Sequence, residues 1–400
     1  MQGRSAWRRI PAGVWTLGFV SLLMDTSSEL IHSLLPLFLV TSLGATALAV
    51  GVIEGVAEAT ALVTKVFSGY LSDYFHRRKL ITGIGYGLAA LSKPLFPLAT
   101  SFAWVFAARL VDRVGKGIRG APRDALIADI TPRESQGAAY GLRQALDTAG
   151  AVAGPLLAVG AMLWLAGNIR AVFWVATVPA IAAVLLLFVG VREPKTRSAA
   201  SGSERRIALS DVKRLPVAYW WIVGVAALMT LARFSEAFLV LRAQSVGMAQ
   251  TWIPLVMALM SIVYALFAYP AGVLADRGRQ PGLLQGGLLA LIMADVVLAN
   301  AASVTNVCVG TAVWGAHMGL TQGVLSALVA ANAPAALRGT AFGIFNLLSG
   351  VALLAASVLA GSLWDAFGPA QTFYASAGFS ALALVGLGLG RRFISTTKKS

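Results

Sequence analysis

The chain has 400 residues, of which 58% are hydrophobic and only 12% charged. A water-soluble globular protein carries about twice that charged fraction, so a soluble enzyme or carrier domain is excluded. The net charge of +15 is gathered at Arg4/Arg8/Arg9, Arg77/Arg78/Lys79, Arg192 to Arg214, Arg277/Arg279 and Arg391/Arg392/Lys398/Lys399, which is no nucleic-acid footprint. The short loops at 42–46, 100–101, 301–306 and 367–371 hold no Lys or Arg. This alternation is the pattern of a multi-pass protein with its basic loops on the inside.

Apolar runs of about 20 residues, such as 171–191, cross the hydrocarbon core as helices. A transmembrane barrel would alternate apolar and polar positions, and these runs do not. In chain order, helices are predicted at 14–40, 47–72, 79–99, 102–128, 137–163, 170–191, 217–243, 252–275, 281–300, 304–331, 338–363 and 371–390. The fold class is therefore an all-α integral membrane protein of twelve spans. An even number puts both termini in the cytoplasm, with the lipid bilayer of a bacterial inner membrane around the spans. The polar stretch 192–216 reads as a cytoplasmic linker between an N-terminal bundle, 1–191, and a C-terminal bundle, 217–400. The apolar stretch after Arg9 is too long for a signal-peptide core. The single cysteine, Cys308, excludes an intrachain disulfide and a Cys-rich metal site.

Ionisable residues inside spans are costly and mark function by default, and here they crowd the first half. Helix 1 carries Asp25, Ser28, Glu29 and His32, whose spacing puts them on one face. Helix 2 adds Glu54 and Glu58, one turn apart, and Lys65. Helix 4 carries Arg109, Asp112, Arg113, Lys116, Arg119, Arg123 and Asp124. Helix 5 adds Arg143 and Asp147. With Lys93, seven acids face eight bases, a balance that predicts a buried ion-pair network across helices 1, 2, 4 and 5. Lys65 and Lys93 lie near helix ends and are expected to snorkel. The second half has only Arg233, Glu236, Arg242, Asp295 and His317, with the polar Gln322, Asn332 and Asn346. It is expected to supply an aromatic and neutral wall from Trp220, Trp221, Phe234, Tyr264, Trp314 and Phe345. His32 with Glu29 and Glu58 makes a poor transition-metal cage, so no metal or cofactor is expected. No nucleophile constellation marks an enzyme. Gly115-Lys116-Gly117 is no phosphate loop, which leaves an ion gradient rather than ATP as the energy source.

The halves repeat. Ser28-Glu29 is echoed by Ser235-Glu236, Gly69-Tyr-Leu-Ser-Asp73 by Gly272-Val-Leu-Ala-Asp276, and Gly137-Ala-Ala-Tyr-Gly141 by Gly339-Thr-Ala-Phe-Gly343. Three ordered matches at one offset point to parallel repeats, which place a binding site near the bilayer midplane. The loop from Gly69 through Asp73 to Arg77-Arg78-Lys79 resembles the signature loop of the major facilitator superfamily, and the resemblance covers nearly the whole chain. Helix 5 reads Gly141, then Gly150, then Gly154-Pro155. This is similar to the antiporter motif of the superfamily's drug:proton efflux members, except that Ala158 and Val159 stand where the motif has paired glycines.

The resemblance implies two pseudo-symmetric six-helix bundles working as a monomer by rocker-switch alternating access. It implies conformational-switch roles for Gly69, Asp73, Arg77, Gly150, Gly154, Pro155 and Asp276. Helices 1, 4, 7 and 10 line the cavity in that superfamily. Asp25 and Glu29 are then candidates for proton coupling, with Asp147 third, or they are permanent partners of helix 4 arginines. Arg109 opens a helix 4 pattern that the superfamily associates with proton transfer. His32 relays protons or simply hydrogen-bonds. Arg119 and Arg123 bind an anionic group of the substrate or lock a gate. Glu58, Arg143, Arg233, Glu236 and Asn346 complete the expected substrate contacts. The function implied is proton-coupled export of a small organic molecule. The alternatives are proton-coupled uptake of an anionic metabolite or siderophore-like compound, and, in another class, a non-transporting receptor.

Overall fold

The computed structural model describes residues 10–75, 77–191, 215–334 and 337–389. The linker expected at 192–216 falls outside the described residues up to Arg214, as do His76, the terminal basic clusters and the side chain of Asp73. Thirteen α-helices form twelve spans: α1 (Ala12–Leu43), α2 (Ala47–Phe75), α3 (Arg78–Ser92), α4 (Phe102–Ile130), α5 (Gln136–Trp164), α6 (Ile169–Gly190), α7 (Val217–Ala232) with α8 (Ala237–Ser245), α9 (Pro254–Asp276), α10 (Gln280–Ala299), α11 (Val304–Asn332), α12 (Arg338–Phe367) and α13 (Pro369–Leu389).

The helices follow from their sequences. On α6, Trp174, Val178, Ile181, Leu185 and Phe188 are exposed, while Val172, Phe173, Ala176, Ala180, Ala183 and Leu187 are buried. An exposed apolar stripe at helical spacing would be untenable in water and is a lipid-facing side here. Ser101, Asn168 and Ser303 cap α4, α6 and α11, each side chain accepting a backbone N–H. Gly368 alone joins α12 to α13, with φ +89°, a conformation that favours glycine.

Two spans differ from expectation. The third helix, predicted to residue 99, ends at Ser92 and continues as a single 3₁₀ turn, Lys93–Leu95. Pro94 and Pro97 withhold two backbone donors there. The seventh span, predicted unbroken over 217–243, is interrupted between Ala232 and Ala237. No Gly or Pro causes that break. Neighbouring helices supply the missing bonds instead, as the Ser235 N–H donates to Ser357 Oγ at 3.3 Å.

The contacts divide the chain into two compact units. One comprises 1–43, 60–203 and 250–258, and the other 44–59, 204–249 and 259–400. In the first, α1 packs on α5 and α6, and α3 on α4 and α6. In the second, α7 packs on α12 and α13, and α10 on α11 and α13. These are the same pairings six spans later, so the sequence repeat is a repeat of packing. Within the second unit, the start of α2 lies against α12. Asp365 accepts from the Ala47 and Leu48 N–H groups at 3.0 and 2.9 Å, the favourable end of the helix for a carboxylate.

Glycine sets how closely α3 and α4 approach. A Cβ on Gly85 would lie 2.6 Å from Arg119 N and 2.8 Å from Gly115 O. At Gly87, two residues on, a Cβ would meet nothing within 4 Å. Gly85→Ala is therefore expected to cost about 1–3 kcal/mol through overpacking. Gly87→Ala should be neutral or stabilising by up to about 1 kcal/mol from helix propensity. Thermal melting of the two variants in detergent checks this, and equal midpoints would contradict it.

Candidate functional site

The densest chemistry lies in the first unit, where α4 carries cations through the middle of the bundle. Its first cluster surrounds Asp112. Lys93 Nζ donates to Asp112 Oδ1 at 2.7 Å and to Ser28 Oγ at 2.9 Å. On the other carboxylate oxygen, Arg109 Nη1 and Arg113 Nε each stand 3.7 Å from Oδ2. All four side chains are at most 3% exposed. One carboxylate thus faces three cations. The geometry corrects the expectation for Lys93, which does not snorkel. The turn at Lys93–Leu95 aims it inward, where Asp112 offsets its desolvation.

A second cluster lies further along α4. Arg119 Nη2 is 3.4 Å from Asp25 Oδ1 on α1, and its guanidinium stacks over the Tyr86 ring at 4.8 Å, a cation–π contact. Arg123 Nη1 donates to Ser21 Oγ at 2.7 Å, and Ser21 Oγ is 3.0 Å from the Tyr86 hydroxyl. Arg123 also reaches Asp124 at 3.3 Å and Asp147 at 3.8 Å. Arg143 Nη1 donates to Asp147 Oδ2 at 2.8 Å and lies 3.7 Å from Asp124. Arg123, Asp124, Arg143 and Asp147 thus form one ion-paired group on α4 and α5, joined to the Arg119–Asp25 pair through Tyr86 and Ser21.

The small residues of α5 make that arrangement possible. A Cβ on Gly150 would lie 2.6 Å from Leu22 O and 3.1 Å from Asp25 Cβ. On Gly154 it would lie 2.7 Å from Thr26 O and 2.8 Å from Glu29 Cβ. The two glycines press α5 onto α1 at the turns that bear Asp25 and Glu29. Pro155 is buried beside them. Gly141 has no such role, since a Cβ there meets nothing within 4 Å.

The two α1 acids are partly open, as is Asp124 on α4 at 34%. The Asp25 and Glu29 side chains keep 25% and 22% exposure. Glu29 Oε2 is 3.3 Å from Nδ1 of His32. Lys116, at the midpoint of α4, is exposed. It lies within electrostatic reach of both acids and makes no hydrogen bond or ion pair among the described residues. An ammonium at that depth is costly unless water or a counter-charge meets it.

The other expected site residues are more scattered. Arg233 and Glu236 flank the break between α7 and α8, and both are half-buried, as are Glu58 on α2 and Asn346 on α12. Arg77 is exposed at the start of α3, and Asp276 is exposed at the end of α9. A Cβ on Gly69 would touch Ala121 Cβ at 3.4 Å, so the signature loop lies against α4. Arg78 strengthens that link, pairing with Asp129 and donating to Ala125 O at 3.2 Å. Sequence reasoning counted Lys93 among the bases of the network and put Ser28 on the polar face of helix 1, but it did not pair them, and it passed over Ser21 and Tyr86. For Lys93 a signal existed, because a lysine beside Pro94 lies at a turn. For Tyr86 and Ser21 there was none, since apolar neighbours flank both in the chain.

Twelve helical spans with an ion-paired interior and a partly open acid face define a multi-pass membrane transporter. The comparisons give the family. The profile of the Major Facilitator Superfamily matches residues 17–352 and 234–400. An uncharacterised MFS-type transporter of Methanocaldococcus jannaschii is 31% identical over 92% of each chain. The quinolone resistance protein NorA of Staphylococcus aureus is 26% identical over 48% of each. A bacterial homologue of the human lysosomal transporter Spinster, solved inward-facing, aligns with a TM-score of 0.77 at 16% identity, covering 95% of this chain and 96% of that one. The chain belongs to the Major Facilitator Superfamily, whose members are transporters and not enzymes.

The Asp112 cluster makes a stability test. Removing one partner of a buried pair leaves a charge uncompensated, at about 3–5 kcal/mol. Asp112→Asn strands three cations, whereas Lys93→Met leaves Asp112 with two arginines. Asp112→Asn is therefore expected to lower the melting midpoint more than Lys93→Met. The double variant should lie above Asp112→Asn alone. Thermal unfolding of the three variants checks this order, and a reversed order would show that Asp112 is not the hub.

Proposed function

We propose that this protein is a secondary active transporter driven by protons, with Asp25 as the coupling carboxyl. One observation supports the reading above the others: Asp25 is part-open at the middle of α1, held by Arg119 and pressed by Gly150 of α5. A carboxyl in that position can bind a proton from an aqueous opening. Protonation frees Arg119, whose Nη1 has no hydrogen-bond partner, and so rearranges the chain of ion pairs on α4 and α5. Glu29 with His32, and Asp147 with Arg143, are the neighbouring stations through which a proton would pass or be balanced. Arg109, tied to Asp112, acts at a distance by holding α4 in place.

Export of a small organic molecule is the direction we propose. The α5 glycine motif that shapes the Asp25 turn supports it. So does the similarity to the quinolone resistance protein NorA, since removal of a drug confers resistance. A second reading, cotransport of an organic anion, is favoured by the unpaired, exposed Lys116. An anion there would meet Lys116 and Arg119, with Arg123 and Arg143 as further candidate contacts.

The test uses purified protein in proteoliposomes with an entrapped pH dye. Fluoroquinolones, lipophilic cations and small carboxylates are added to one side. Asp25→Asn is expected to reduce ligand-driven proton movement at least tenfold, while ligand-induced stabilisation persists. Proton movement at the wild-type rate would sink the role given to Asp25. Quinolones or cations moving against protons support export. Carboxylates moving with protons, lost in Lys116→Gln, would replace export by the second reading.

A further inference from the structure

Asp295 is an acid of the second unit that the coupling scheme does not use. Asp295 lies in the last two turns of α10, and its side chain is fully buried. Its Oδ2 is 2.5 Å from Ser376 Oγ on α13. The same hydroxyl is 2.5 Å from the carbonyl oxygen of Ala232, the last residue of α7 before the seventh span breaks. Asp295 Oδ1 has no hydrogen-bond partner.

Among the described residues, no cation forms an ion pair with the carboxyl. Neither α13 nor α7 contains a charged residue between its bounds. On α11 the titratable group is His317, whose Nδ1 is 2.7 Å from Gly287 O, two turns back along α10. Arg242 of α8 donates beyond Asp295, to the carbonyls of Leu298, Ala299 and Ala301 at 2.8, 3.3 and 2.7 Å. Arg233, next to Ala232 in the chain, forms no ion pair with Asp295 among the described residues. A buried carboxylate without a counter-charge is too costly to persist.

Hydrogen counting gives the same answer independently. A serine hydroxyl has one proton to donate. Ser376 stands between two oxygens at hydrogen-bonding distance, so one of them must bring a proton of its own. A peptide carbonyl has none to bring, and a carboxylic acid has one.

We propose that Asp295 is a proton-binding site that fastens the interrupted seventh span. Its Oδ2–H donates to Ser376 Oγ, and Ser376 donates to Ala232 O. That carbonyl belongs to the last residue of α7, where the regular helix stops. Loss of the proton turns the single serine hydrogen toward the carboxylate and leaves Ala232 O bare. The hinge then keeps its bond to Ser357 and its aromatic packing, where Phe234 meets Phe238, Trp314 and Phe373 at 5.2, 5.3 and 5.5 Å. The site is separate from Asp25 and stands whether or not Asp25 couples transport.

The experiment compares full-length wild type, Asp295→Asn and Ser376→Ala in lipid nanodiscs. Infrared spectra at neutral pH should show a protonated-carboxyl carbonyl band that Asp295→Asn removes. Ser376→Ala should shift the same band to higher frequency, because its hydrogen-bond acceptor is gone. Asparagine keeps a donor, so hydrogen exchange of amides 230–238 should stay slow in Asp295→Asn at all pH values. Relative to that variant, exchange in wild type should rise about tenfold toward alkaline pH, the worth of one hydrogen bond. A band unchanged in Asp295→Asn, or unmoved in Ser376→Ala, overturns the proposal. If Asp295→Asn does not fold, the Ser376→Ala band and its faster exchange at neutral pH decide alone.

Discussion

Charge inside hydrocarbon has to be met by charge or by water, and α4 is where this protein faces that constraint most directly. Eight of its segments are long and apolar enough to cross a membrane on their own composition, and α4 is not among them. It spans because α1 and α5 bring Asp25, Ser21 and Asp147 to its cations, and the turn after α3 brings Lys93 to its own Asp112. The helix and its partners are stable only together. The same dependence makes the pairs useful, because a bond required for stability in one arrangement is a bond whose exchange can drive another.

Backbone proximity makes the exchange possible. Arginine and lysine are long, but Asp25 and Asp112 are short, so the helices must nearly touch for pairs to close. Gly85 with Gly115 brings α3 to α4, and Gly150 with Gly154 brings α5 to α1. Gly117 completes the set, since a Cβ there would lie 2.5 Å from Thr64 Cβ on α2. In membranes small residues at helix contacts replace the hydrophobic effect as the source of tight packing. Here they also place the ion pairs.

Much of this was legible in the sequence. Run length and loop charge gave the twelve spans, because the bilayer imposes a single length on every one of them. Residue spacing put Asp25, Glu29 and His32 on one face, and His32 does meet Glu29. What the sequence hid depends on contacts between residues far apart in the chain. Lys93 looked like an end-of-helix residue until the fold put Asp112 beside it, 19 residues away. The seventh span reads as a continuous helix, since no residue in it breaks helices. Its interruption is made by Ser357 and Ser376, more than 120 positions later.

The units share a packing scheme and divide the electrostatics unevenly. In the first, Asp25, Asp124 and Asp147 each have a cation close by. A proton added there shifts a balance among many charges, and the change spreads over several helices. In the second, Asp295 has a hydroxyl and no cation. A proton there can only be present or absent, and its effect is confined to the three helices that Ser376 joins. A distributed network suits a site that must adapt to a solute and a proton together. A single neutral carboxyl suits a fastener with two states. One repeated architecture thus carries two arrangements of buried acids, a paired network in the first unit and a carboxyl bonded to a hydroxyl in the second.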